Sequence, residues 1–299
     1  MAADIPIFYP DTFDTSWSQV VQQRESRLVG STWRSDFSGK DKWFNLITKR
    51  TMSAITTRKG DTGEGDFDAY KYKLIQSPKE LVTTFDEFDQ QYLGAIVLPT
   101  SDEVQAHAMA ANRSQDATII TAFDADRTIQ NTNAGVDITS PFPGTQSIAA
   151  NFVETGTPVA SGLTIAKLRR AQKLMNQAEV PEEGRKLAYS SNQLEELLQT
   201  TEATNSLYSN VKALVDGNIG RLLGFDFIRL EGLPVDGNDV RSCFAFHSTG
   251  IRFAQGVRKV YMDILPRKRH ALQIRTVLMC GAVRTEDEKV VRIYCDQSP

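Results

Sequence analysis

A long β-hairpin is the feature of this sequence that most restricts its fold. Residues 43–47, 51–57 and 70–75 are rich in aromatic and β-branched side chains, and residues 58–66 form a glycine-rich turn between them. An isolated two-stranded hairpin is only marginally stable in water, and little nearby sequence is available to cover this one. We therefore expect the hairpin to lie on a neighbouring subunit, with an ordinary surface hairpin as the alternative.

Charged side chains are segregated around the tip of this hairpin. Arg58 and Lys59 lie on one side of the turn, whereas carboxylates crowd the other side. An exposed ion pair contributes only about 0.2–1 kcal/mol, so such contacts become effective when many copies form them together. We expect the tip to dock on neighbouring subunits, with a solvated tip as the alternative. The candidate contact residues are Arg58, Lys59, Asp61, Glu64 and Asp66.

The first 23 residues combine acidic and large apolar side chains and contain no Lys or Arg. Pro6 and Pro10 disfavour an early helix. The composition therefore predicts an extended arm that packs on another surface, such as a neighbouring subunit, with Trp17 as a candidate contact residue. Residues 16–29 are predicted to form a short helix.

Helices and strands alternate irregularly through the rest of the chain. The segment after Pro99 starts with a capping box and continues for more than twenty residues without Gly or Pro, which predicts a helix about 30 Å long. Because no regular βαβ repeat follows, the predicted fold class is α+β. Further helices are predicted at residues 164–177, from 192 and at 206–215, and strands at 186–189, 225–230, 260–262, 272–280 and 290–294.

Composition and motifs give no indication of enzymatic chemistry. The three Cys and three His residues lack metal-ligand spacing, and neither a phosphate-binding loop nor a nucleophile elbow is complete. We therefore expect no catalytic residue, no metal and no cofactor. No stretch approaches the ~18 apolar residues of a membrane span, so we expect no membrane partner.

The charge balance does not favour a nucleic-acid-binding protein, because the net charge is −3. Arg267, Lys268 and Arg269 nevertheless form a dense basic cluster between two predicted strands. This cluster is a candidate contact for a phosphate backbone, and a charged turn is the alternative.

Four passages together resemble the major capsid proteins of tailed bacteriophages that have the Hong Kong 97-like fold, in particular the podovirus-type coat proteins. The first reads QQRESRL and the second ANRSQDATIITAF, which is similar to the long spine helix of that family. The third ends in VPEEGR, and the fourth reads GNIGRLLGFDF. The four passages occupy residues 22–28, 111–123, 163–185 and 217–227.

The resemblance implies a division of the chain into the parts of that fold. A peripheral P-domain would contain the spine helix, and an axial A-domain would follow it. No autocatalytic cross-link is expected, because no Lys and Asn pair matches that chemistry. The implied boundaries are 1–39 for the N-terminal arm, 40–92 for the extended E-loop hairpin, 93–160 for the P-domain, 161–261 for the A-domain and 262–299 for C-terminal strands that return to the P-domain.

The resemblance also implies function and partners. The protein would be synthesised in the cytoplasm of a bacterial host and would assemble into hexamers and pentamers of an icosahedral shell around double-stranded DNA. A scaffolding protein, a portal protein and, in some members, a decoration protein would be its partners. One alternative is an encapsulin-like nanocompartment shell, and another is a soluble enzyme whose pocket the sequence does not reveal.

Overall fold

The computed structural model describes residues 22–52, 54, 58, 60, 69–85, 100–131, 135–154, 156–199 and 220–297. Its helices are α1 (Thr100–Asp124), α2 (Ile165–Gln177) and α3 (Ser191–Gln199). Its first strands are β1 (Trp33–Arg34), β2 (Asp41–Ile47), β3 (Ala69–Ile75), β4 (Ser77–Phe85), β5 (Arg127–Asn131), β6 (Asp137–Ser140) and β7 (Ser147–Ile148). The later strands are β8 (Arg185–Tyr189), β9 (Arg221–Leu222), β10 (Phe225–Arg229), β11 (Val240–His247), β12 (Ile251–Leu265), β13 (Ala271–Arg284) and β14 (Val290–Asp296).

The described strands form three sheets. Their orders are β1-β12-β13-β4, β7-β14-β11-β8-β10-β9 and β2-β3-β5-β6. The third sheet is antiparallel, whereas the six-stranded sheet is mixed, since β10 runs parallel to β8 and β7 runs parallel to β14. The α+β prediction is confirmed.

The described chain divides into two compact units. One contains residues 22–25, 79–85, 100–113 and 258–278, and the other contains the remaining described residues. The boundaries between the units fall between residues 25 and 26 and within β4, α1, β12 and β13.

The base of the predicted hairpin is present as β2 and β3, which pair antiparallel with Phe44 opposite Tyr72. The strand predicted at residues 51–57 is wrong over its described part, since residues 51, 52 and 54 are not in a strand. Alternation places Tyr72 and Leu74 on the inner face of the sheet, where they are almost completely buried. The apolar cluster that they form contains Tyr72, Leu74, Ala254 and Val283, with Phe37, Phe44, Leu46 and Ile129 packed against it. The base of the hairpin is therefore part of a core to which β12 and β13 also contribute.

The predicted long helix is α1, and an arginine side chain donates hydrogen bonds to backbone carbonyls at its C-terminal end. The last carbonyls of a helix lack intrahelical donors and carry partial negative charge. Nη1 of Arg284 donates to the carbonyl oxygens of Phe123 at 3.1 Å and Ala125 at 3.0 Å, and its Nε donates to Asp287 at 2.6 Å. Arg284 is 1% exposed, so this guanidinium is a buried cap for the helix.

A buried lysine fixes the segment that leads into α2. Nζ of Lys167 donates to the backbone carbonyl oxygens of Ser161 at 2.5 Å, Gly162 at 2.8 Å and Tyr294 at 3.0 Å. These three bonds use all the donors of the ammonium group. Burial lowers the pKa of Lys167, because the charged form is separated from water. The lysine joins the start of α2 to β14.

Some elements differ from the sequence prediction. Residues 22–28 are not helical, so the helix predicted for residues 16–29 is wrong over its described part. The physical reason is a contact with α1 that is described below. The helix predicted at residues 206–215 lies outside the described residues. Strand β11 was not predicted, because its buried residues 243–246 form a short apolar run without alternation, as is usual for a central strand buried on both faces.

Gly281 provides a test of the packing at the hairpin base. A Cβ atom added there would lie 2.1 Å from the carbonyl oxygen of Ile75, at the end of β3. We expect Gly281→Ala to lower the free energy of unfolding by about 1–3 kcal/mol, because backbone must move to make room. Chemical denaturation of the purified subunit measures this loss. Gly237→Ala is the control, since its Cβ would meet nothing within 4 Å, and equal stability of both variants would contradict the prediction.

Candidate functional site

An aspartate of α1 holds the segment that precedes β1. The Oδ1 atom of Asp116 accepts hydrogen bonds from Ser26 Oγ at 2.5 Å and from the backbone N–H of Leu28 at 3.2 Å. The Oδ2 atom accepts from the backbone N–H of Arg27 at 3.0 Å. Asp116 is 3% exposed, and three donors therefore compensate for the burial of its carboxylate.

This contact joins two of the passages that were singled out in the sequence. Ser26, Arg27 and Leu28 belong to the QQRESRL passage, and Asp116 belongs to the long-helix passage. The backbone N–H groups of Arg27 and Leu28 bind the carboxylate in place of helical carbonyls, which explains why this segment is not a helix. The side chain of Leu28 is fully buried, so the arm is fixed by both polar and apolar contacts.

A cation–π contact holds the base of the hairpin. The guanidinium carbon of Arg252, on β12, lies 3.5 Å from the ring centre of Trp33 and 4.0 Å from that of Phe44. Arg252 is 7% exposed, and burial lowers its pKa. A desolvated cation–π contact contributes about 2 kcal/mol. Arg252 thus joins the arm strand β1, the hairpin strand β2 and strand β12.

The outer face of the hairpin sheet carries side chains for contacts beyond the core. Nζ of Lys73 lies 2.7 Å from Oδ2 of Asp41 and 5.5 Å from the ring centre of Trp43. The hydrogen bond that Lys73 donates to the Asp41 carboxylate raises the pKa of Lys73. Ile47, at the end of β2, is 63% exposed. This face combines aromatic, charged and apolar groups, as protein interfaces do.

The structure describes only part of the predicted contact set. Arg58 lies in an exposed turn between β2 and β3. The other members of the set, Trp17, Lys59, Asp61, Glu64 and Asp66, lie outside the described residues.

The predicted basic cluster forms the exposed connection between β12 and β13. Arg267 and Lys268 lie in a short 3-10 helix, whereas Arg269 and His270 both adopt left-handed backbone conformations, with φ of 49° and 57°. All four side chains are exposed. This segment is called the basic turn below. It presents three permanent positive charges at the end of a hairpin.

The described residues give no indication of a metal centre or a membrane span. They include no group of three or more His, Cys, Asp or Glu side chains that could hold a metal ion. Among their helices, none has the length and apolar character needed to cross a membrane. His107, which is buried in α1, lies between the hydroxyls of Thr83 at 2.9 Å and Thr276 at 3.0 Å.

A family model described as phage capsid protein matches residues 5–297 of the chain. The chain belongs to the phage capsid protein family. It is a major capsid protein, and copies of it form the shell of the virion. The expectation drawn from the four passages is confirmed in this respect. No curated protein matches the sequence.

Solved phage structures share the fold of this capsid protein. The capsid of cyanophage P-SCSP1u has a TM-score of 0.73 and 15% identity, with 97% of this chain and 94% of that chain covered. The capsid of Ralstonia phage GP4 has a TM-score of 0.69 and 12% identity, with full coverage of both chains. A structure from Mycobacterium phage Che8 has a TM-score of 0.63 and 16% identity, with 98% of each chain covered. The Hong Kong 97-like fold is confirmed.

The sequence prediction missed the two residues that position the arm and the hairpin. Asp116 lies in a passage that was recognised, but polar residues directly precede it, so nothing local in the sequence indicates that its carboxylate is buried. Arg252 is flanked by Ile251 and Phe253, which are fully buried. An arginine between two buried apolar residues of a strand is a signal that could have identified it.

Asp116 provides a test of how the arm is held. We expect Asp116→Ala to lower the free energy of unfolding of the subunit by about 3 kcal/mol, because it removes the charged acceptor of buried donors. Asp116→Asn should lower the free energy of unfolding less, since one acceptor oxygen remains. Denaturant unfolding measures both values. The control is Asp126→Ala, an exposed carboxylate just beyond α1, and a loss no larger than that of the control would contradict this role.

Proposed function

We propose that this capsid protein assembles into hexamers and pentamers of an icosahedral shell that encloses double-stranded phage DNA. Membership of the phage capsid family supports the shell. The observation that carries the proposal is the firmly held hairpin. Its inner face belongs to the core and its base contacts Arg252, while Ile47 on its outer face is 63% exposed and available for contact with a neighbouring subunit.

The proposed parts of the subunit follow the capsid fold. We propose an N-terminal arm (1–39), an E-loop (40–92), a P-domain (93–160), an A-domain (161–261) and C-terminal strands that return to the P-domain (262–299). The E-loop and the arm would overlap adjacent subunits, because extended backbone spans over 3 Å per residue. Permanent interfaces of this kind bury more than 2,000 Å².

The proposed partners act at different stages. A scaffolding protein would bind during assembly in the host cytoplasm, a portal protein would occupy one vertex, and a decoration protein would bind the outer face in some relatives. The packaged DNA would be bound without sequence preference. Arg267, Lys268 and Arg269 are the proposed DNA contacts, since three exposed cations attract phosphate at any sequence. We propose no catalytic activity for the subunit.

Electron microscopy of the protein expressed with its neighbouring genes tests this proposal. Closed shells that contain nuclease-protected double-stranded DNA would support it. Closed shells that contain only a protein cargo would favour a nanocompartment instead. A small particle that never assembles, even with those genes, would contradict the proposed shell and favour a soluble enzyme instead.

The hairpin tip provides a further prediction. Reversal of Arg58 and Lys59 to Glu should reduce the yield of shells and their resistance to salt, because the tip would repel the carboxylates that it contacts. Circular dichroism of the subunit should not change. Lys173→Glu combined with Arg221→Glu reverses two other exposed cations and serves as the control. Normal yield and normal salt resistance of the hairpin variant would exclude docking by these residues.

A further inference from the structure

Strand β12 exposes an apolar surface near the basic turn. Val260, Met262 and Ile264 are 43%, 52% and 62% exposed, and alternation along the strand places them on one face. Tyr261, on the other face, is 42% exposed. Exposed apolar side chains that are contiguous and bordered by charge are typical of an interaction surface.

The charges around this surface are mainly positive. Arg258 and Lys259 precede it, and the basic turn follows it, whereas Asp263 is the single acidic residue between positions 256 and 270. Its occupant should therefore combine apolar side chains with carboxylates. We name residues 258–269, which belong to β12 and the basic turn, the hairpin surface. It is distinct from the hairpin formed by β2 and β3.

The amino-terminal segment of the same chain has that composition. Residues 1–21 contain Asp4, Asp11 and Asp14 and no Lys or Arg. Ile5 and Ile7 are two positions apart, so an extended backbone would place both on one face, at the spacing of alternate residues on β12. The large apolar side chains of the segment are Ile5, Ile7, Phe8, Tyr9, Phe13 and Trp17.

The described residues that directly follow this segment lie close to the hairpin surface. The carbonyl oxygen of Arg24 accepts a hydrogen bond from Asn112 Nδ2 at 2.7 Å, and Gln22 contacts Arg113. One turn earlier on α1, the carbonyl oxygen of Ala108 lies 3.5 Å from Nη2 of Arg258. Ala108 and Asn112 are neighbours on one face of the helix, about 6 Å apart.

We propose that residues 1–21 dock on the hairpin surface of their own chain in the unassembled subunit. Ile5 and Ile7 contact Val260 and Met262, and the aspartates face the flanking cations. A segment of this length can extend over roughly 70 Å, which exceeds the ~20 Å between residues 258 and 264. Attachment at Asn112 keeps the segment at high effective concentration beside its site. The proposal concerns the free subunit and does not depend on the shell.

Photo-cross-linking of the purified, unassembled full-length subunit tests the proposal. p-Benzoylphenylalanine replaces Phe8, and a mixture of ¹⁴N-labelled and ¹⁵N-labelled chains is irradiated and mapped by mass spectrometry. We expect cross-links to residues 258–269 in which both peptides carry the same isotope. Cross-links elsewhere, or peptides that combine the two isotopes as often as mixing allows, would overturn docking within one chain.

Charge reversal tests the electrostatic part. Arg267→Glu with Lys268→Glu should lower the cross-link yield at least fivefold, and Asp4→Lys with Asp11→Lys in the same chain should restore it. Lys173→Glu, which reverses an exposed cation on α2, should leave the yield unchanged. Asp4→Asn with Asp11→Asn leaves the hairpin surface intact and should also lower the yield. Equal yields in all variants would overturn the proposal.

Discussion

The carboxylate of Asp116 is the contact on which the arrangement of this subunit depends. An ionised carboxylate is costly to bury unless several donors surround it, and here those donors come from a segment some ninety residues earlier in the chain. The long helix and the arm therefore stabilise each other, because each completes the hydrogen bonds of the other. This places β1 where its tryptophan can stack on Arg252.

A chain of side-chain contacts connects β1 to the hairpin. The Arg252 guanidinium lies between Trp33 and Phe44, and Phe44 stacks on Tyr72 with ring centres 5.7 Å apart. Arm, hairpin and β12 are thus joined by a continuous stack of flat groups. A subunit that assembles into a shell benefits from such a stack, because a hairpin with a fixed base presents the same contact surface in every copy.

The sequence predicted the elements whose signals are local. The strands at the base of the hairpin, the helix after Pro99 and the helix at residues 164–177 have periodic patterns and clear boundaries, and all three are present. Contacts between distant segments were not predicted. Asp116 and Ser26, or Arg252 and Phe44, are far apart in the chain, and no local pattern indicates that they meet. The non-helical arm is the instructive error, since helix propensity was outweighed by one buried acceptor.

Lys167 has a practical consequence for the chemistry of the subunit. Its ammonium group is fully buried, whereas side chains such as that of Lys173 on the same helix are exposed. Amine-reactive dyes or polymers applied to native protein will modify the exposed lysines and leave Lys167 untouched. Modification at Lys167 therefore marks molecules in which the start of α2 has separated from β14. One residue thus serves as an internal reporter of partial unfolding, readable by peptide mapping in any preparation.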